Sequence, residues 1–263
     1  GELYQGDVST AVPANSFAVI GNIYPSRVSF GQLAKTNVND VFYIWDAKYI
    51  NGNSLGFYQT FSGIDGYAAL VTAGSYVQTV LYPNIESGQA LFVQNGTVAA
   101  GSIGFTEAAK ATGSSTNGFR PATPTGNPVS FTSNLYTAGV NGYMIDANKI
   151  VFDNKYSNAV DGNDALKMAN PGENFAISQQ NKTFAIEARQ SITDKDTIFY
   201  NIWNLQQRTY QLEFKSANLG NPGLTAILQD AHTGVNTVLN LAIVNKIDFT
   251  VNATSASAAA NRF

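Results

Sequence analysis

The chain has no cysteine, a single histidine and few charges. Without cysteine there are no disulfides, no thiolate zinc sites and no cysteine nucleophiles. One histidine rules out a histidine-cluster metal centre. A Ser-His-Asp site would need His232 beside a nucleophile, and no Gly-x-Ser-x-Gly elbow precedes a helix. His232 lies in Asp-Ala-His-Thr-Gly and reads as a solvated residue at a hairpin tip. Charged residues are 13% of the chain, about half the usual ~25%. The 15 basic and 18 acidic residues give a net charge of −3, and Lys and Arg never adjoin. The basic stripe of a nucleic-acid binder is therefore missing. No apolar run approaches the ~20 residues that carry a helix across a bilayer. Glycine-rich phosphate cradles are absent as well.

What is present suits a β protein. Hydrophobic residues make up 44% and aromatics 12% of 263 residues, enough for a substantial core. Polarity comes from Asn, Thr, Ser and Gln, with 23 glycines, a hydroxyl- and amide-rich surface common in secreted β proteins. Period-2 alternation and short aromatic or β-branched runs recur, broken by Gly, Asn, Asp and Pro every 8–12 residues. Strands are expected at 17–20, 41–45, 56–61, 76–81, 89–94 and 102–106. Further strands are expected at 129–136, 149–153, 174–178, 183–187, 196–201, 209–215, 224–230, 237–239 and 248–252. Residues 30–35 and 107–111 have room for a helical turn each. From Thr112 to Pro128 the chain is Gly, Ser, Thr, Asn and Pro, too long for an ordinary loop. The reading is all-β: two consecutive antiparallel β-sandwich domains, jelly-roll or Ig-like, at 1–120 and 129–263. A Pro-rich, semi-rigid linker at 121–128 joins them.

Residues able to carry chemistry are scattered. Glycoside hydrolysis needs two carboxylates flanking a groove, and Glu86, Glu107, Glu173, Glu187 and Glu213 form no such pair in sequence. No catalytic residue is assigned, and the chain is read as no enzyme. Asp153, Asp161, Asn163 and Asp164 could supply oxygen ligands to calcium. The same residues could instead form Asx-turns that bond nearby backbone amides. Trp45 and Trp203 read as core or sheet-face residues. Tyr49, Tyr58 and Tyr67, near glycine-rich turns, are the candidates for stacking on a sugar. Calcium is the only cofactor considered.

Several segments stand in a fixed order, and the first, residues 20–26 (Ile-Gly-Asn-Ile-Tyr-Pro-Ser), resembles the IGNPYPS signature of a family of large surface proteins of Bacteroidetes. Val41-Phe42-Tyr43-Ile44-Trp45-Asp46 resembles its yvWD. Residues 85–93, with Ser87-Gly88-Gln89-Ala90, resemble I.SGQAFFV, and Phe105 to Lys110 with Phe119-Arg120 continue the pattern. Val151-Phe152-Asp153 and Asp161 to Lys167 are similar to vvFd…D..DA.K, and Asn261-Arg262-Phe263 resembles the RF junction before a type IX sorting domain. The resemblance departs from the pattern at Ile23, where proline is usual, and at Leu91, where phenylalanine is common. It implies a β module near the C-terminus of an exported, cell-surface or outer-membrane protein. Its function would be structural or adhesive; the alternative is a carbohydrate-binding module serving an attached enzyme or adhesin. Implied partners are neighbouring domains of the parent protein, glycans or envelope components. The type IX secretion machinery would act through a sorting domain after Phe263. The triplet Asp196-Thr197-Ile198 matches the O-glycosylation consensus of such bacteria, yet falls in an expected strand.

Overall fold

The structure is a computed structural model that describes residues 5–48, 56–71, 82–111, 128–219 and 223–263. The expected strand at 76–81 and almost all of the Pro-rich segment lie outside the described residues. The chain is all-β. Its first half contains β1 (Val8–Val12), β2 (Ser16–Gly21), β3 (Val28–Ser29), β4 (Ala34–Thr36) and β5 (Val41–Asp46). It continues with β6 (Phe57–Ser62), β7 (Asn84–Ile85), β8 (Ala90–Asn95) and β9 (Gly101–Phe105). Both expected helical turns are present as single 3₁₀ turns, Phe30–Gln32 and Glu107–Ala109.

The second half opens with β10 (Val129–Thr137), β11 (Met144–Phe152), β12 (Ala165–Leu166), β13 (Asn174–Gln179) and β14 (Lys182–Arg189). It closes with β15 (Phe199–Trp203), β16 (Thr209–Ala217), β17 (Ala226–Asp230), β18 (Val235–Leu239) and β19 (Asn245–Thr250). β15 starts at Phe199, so Thr197 stands exposed in the preceding loop rather than in a strand. Hairpin tips are expected at 181–182 and 230–234; the second is found in place and the first lies one residue earlier. Gln180 and Asn181, both at positive φ, close the β13–β14 hairpin, and residues 231–234 close β17–β18. A two-residue hairpin of type I′ needs φ > 0 at both central positions, which asparagine tolerates.

In the first half a four-stranded sheet, β2-β8-β5-β6, and a three-stranded sheet, β1-β9-β4, enclose one core. The second half is built on an eight-stranded sheet ordered β15-β13-β14-β11-β10-β16-β19, with β12 beside β14. Its pairs are antiparallel except β11–β14. The β17–β18 hairpin packs over it, with Leu228 and Leu239 in the second core.

A third core joins the halves. β5 reads Val-Phe-Tyr-Ile-Trp with no polar face, and a strand of that kind is buried on both sides. Phe42 and Ile44 enter the first core. Val41 and Tyr43 turn the other way, together with Phe57, onto Met144, Ala147, Val151 and Ile186 of the eight-stranded sheet. Polar contacts frame this seam. Asn39 Nδ2 donates to the Asp164 carbonyl at 3.1 Å, and the Tyr58 N–H donates to Asn170 Oδ1 at 3.1 Å. The Leu166 N–H donates to Gln94 Oε1 at 2.9 Å, and Lys149 Nζ pairs with Asp65 Oδ2 at 2.9 Å. β16 follows simple alternation: Tyr210, Leu212 and Phe214 are buried in the second core, while Gln211, Glu213 and Lys215 lie toward solvent.

Candidate functional site

The tyrosine candidates separate. Tyr67 is buried in the first core, packed edge-on to Phe30 at 6.0 Å, with its hydroxyl 2.9 Å from both oxygens of Asp40. Burial first, then the Asp40 charge, holds its phenol well above the usual tyrosine range. The ring is thus a core element and not an exposed platform, because the turn after β6 folds it inward. Tyr58 is half-buried, edge-on to Trp45 at 4.7 Å and to Phe92 at 5.8 Å. Tyr49 lies outside the described residues.

The oxygen-rich segment is arranged around backbone amides. Asp161 Oδ1 accepts the Asn163 N–H at 2.7 Å, the geometry of an Asx-turn. Asp164 is buried and its two oxygens are both taken: Oδ1 accepts the Ala188 N–H at 2.9 Å and Oδ2 the Asp161 N–H at 2.8 Å. Burial raises its pKa to about 6 despite those two donors. Asp153 accepts from the Lys155 N–H and pairs with its ammonium at 2.9 Å. Among the described residues, no three acidic or histidine side chains converge as a metal site. The segment works as a joint: Asp164 holds β14 with its carboxylate and Asn39 of the first half with its carbonyl.

A second buried acid has the same role. Where β11 and β13 part, Asp146 Oδ2 accepts the Phe175 N–H at 2.8 Å, and Oδ1 takes the Ala147 N–H and Lys167 Nζ. Burial pushes its pKa up, opposed by the Lys167 charge and the amides. Other acids pair with cations: Glu107 with Lys110, Glu173 with Arg208, Glu213 with Lys246.

Glu187 departs from that pattern. It is fully buried on β14, and its Oε2 has no hydrogen-bond partner. Arg189 Nε lies 3.4 Å from Oε1, an ion-pair distance without hydrogen-bond alignment. Burial raises the Glu187 pKa to about 7; Arg189 opposes the rise and Asp164 adds to it. The two side chains line a recess of about 400 Å³ completed by Ser178, the Gln180-Asn181 turn and Phe199. Glu187 is the only carboxylate among its described lining residues. Sequence reasoning had Glu187 only as one of five scattered glutamates. The available signal was local, since an acid inside the apolar run Phe-Ala-Ile-Glu-Ala marks a carboxylate carried into a buried strand.

On the other side of Phe199 a cleft of about 620 Å³ opens between the eight-stranded sheet and the β17–β18 hairpin. Phe131, Phe214 and Leu228 make it largely apolar. The last residues of the chain border it. Arg262 is buried, bonds both oxygens of Asp230 at 2.9 and 2.7 Å, and sits over the Phe249 ring. The Tyr200 and Ile202 amides donate to the carbonyls of Phe263 and Ala260. These residues cover the outer edge of β15, which removes an open pairing edge. His232 sits half-buried in the hairpin turn, its N–H on Asp230 Oδ1.

Fold and site together define a layered all-β protein with a polar recess in which the Glu187 carboxylate keeps one oxygen unpartnered. No protein-family model, curated protein or solved structure matches the chain.

Proposed function

We propose that the chain is a non-catalytic structural and adhesive module of a secreted or cell-surface protein, made of two β-sandwich units joined face to face. One observation carries this reading: the buried acids Asp146 and Asp164 have both oxygens committed to backbone amides or to lysine. Glu187, which has one oxygen unpartnered, stands without a second carboxylate among the described residues of its recess. Glycoside hydrolysis needs two flanking acids. The shared apolar seam fits a part that must transmit load between neighbouring domains without hinging. On this reading the module sits on the outer surface beside other domains of a parent protein exported through a sorting domain beyond Phe263.

The test is to remove residues 5–263 from the parent protein with its sorting domain kept, and to measure both surface display and attachment. The reading expects display to persist and attachment to fall. Attachment equal to that of the intact protein overturns it.

A further inference from the structure

The recess beside Glu187 has features that no framework role uses. A carboxylate buried without a partner on one oxygen is costly, and at Asp146 and Asp164 backbone amides or a lysine relieve that cost. Here the lining offers a guanidinium nitrogen that also lacks a hydrogen bond, side-chain amides on a tight turn, and the hydroxyl of Ser178. At the rim stands Phe199, 62% exposed at the start of an edge strand. Its volume of about 400 Å³ falls within the range of roughly 300–1,000 Å³ typical of small-molecule sites.

The chemistry narrows the ligand. An anion would meet the Glu187 carboxylate, and a cation would meet Arg189. A purely apolar ligand would leave both unpaired, at the cost of their desolvation. What remains is a neutral molecule carrying donors and acceptors side by side, with one apolar face for the phenyl ring. We propose that the recess is a subsite for one unit of a neutral saccharide. Glu187 accepts from its hydroxyls, Arg189 donates to them, and Phe199 covers its C–H face. The inference rests on the non-catalytic reading in one respect only: a lone carboxylate binds the sugar and does not cleave it.

The experiment is calorimetric titration of the full chain with cello-, xylo-, manno- and maltohexaose. Hexagalacturonate and a glucosamine hexamer serve as charged controls, and each mixture is then assayed for new reducing ends. At least one neutral hexaose is expected to bind. Glu187→Gln and Phe199→Ala should each weaken it by roughly tenfold or more, and Tyr58→Ala should leave it unchanged. Phe199 is exposed, so its truncation keeps the fold even if the Glu187 variant does not. No binding of any neutral hexaose at millimolar concentration overturns the inference. Binding that survives Phe199→Ala, or binding of the charged hexamers alone, overturns it equally. Release of reducing ends would sink the non-catalytic reading and leave the site standing, so the two failures are distinguishable.

Discussion

Asp146 and Asp164, in and beside the seam between the halves, and Glu187, in the recess beside β15, are all buried acids, yet the fold treats them in opposite ways. In and beside the seam, Asp164 and Asp146 stand where a sheet is interrupted, and their oxygens take the N–H groups that the interruption leaves over. In the recess Glu187 sits on a strand whose own amides are engaged elsewhere, so one of its oxygens stays unsatisfied. The difference teaches how to sort buried carboxylates in a β protein. An acid that replaces a missing strand partner is framework. An acid with no backbone donor, beside an open recess, is held available.

Breaking the framework side should give the largest effect. Asp146→Ala leaves the Lys167 ammonium buried without its partner, and that should cost about 3–5 kcal/mol in urea unfolding. Replacing the pair together, Asp146→Leu with Lys167→Met, should recover a large part of the loss, though the Phe175 amide stays unpaired. A double variant as unstable as the single one would show that the amide bond, not the charge, dominates.

The tyrosines offer the next test. Tyr67→Ala removes a core ring and should cost about 3–5 kcal/mol, whereas Tyr58→Ala at a half-buried site should cost clearly less. Equal losses would contradict the division between core and surface aromatic.

The recess has a pH signature of definite sign. The folded-state pKa of Glu187 is raised to about 7 from an ordinary 4.5, so between those values the folded chain binds more protons than the unfolded one. Stability from this group is therefore full below about pH 4.5 and declines as pH rises through 7. Asp164, raised to about 6, acts in the same direction, Arg189 is the other titratable group acting on Glu187, and the Glu187 charge in turn raises the Tyr200 phenol. Glu187→Gln should accordingly be more stable than the parent chain at pH 8, by on the order of 2 kcal/mol. The two should converge near pH 4. A variant less stable at pH 8 would mean the carboxylate has a partner when ionised.

The smallest effect is expected at the oxygen-rich loop. Asp153→Ala should change stability by no more than about 0.5 kcal/mol. A chelator should leave the melting temperature where it was, since the Asp161 and Asp164 oxygens named above face N–H donors. A fall in melting temperature on chelation would bring back the calcium reading.

Much of the fold was legible in the residues, element by element. The Tyr-Gln-Leu-Glu-Phe-Lys stretch of β16 announces a strand with one wet face, and the structure gives one. Asp230 to Gly234 announces a turn by residue chemistry alone, whereas Asn181-Lys182 announces one a residue late, since Gln180 and Asn181 close that hairpin and Lys182 starts β14. β5 was legible as a strand but not as a shared wall, because an all-apolar run states that both faces are covered and not by what. β1 went unseen, and so did the short pieces β3, β4, β7 and β12. Two or three residues show no period, and only pairing with a distant strand makes them strands. Asn261-Arg262-Phe263 suggested a junction, while in the folded chain Arg262 and Phe263 lock the last segment onto Asp230 and Phe249.

Composition and alternation, by themselves, settled that this chain is a sheet protein without thiol chemistry. Those properties depend on each residue and its immediate neighbours. That Asp146 and Asp164 are framework while Glu187 keeps an unpartnered oxygen was decided only in three dimensions. A carboxylate's state depends on the donors within about 3 Å of it, and here these come from strands far away in the chain. The union of the halves was decided in the same way, by the side of β5 that meets the eight-stranded sheet.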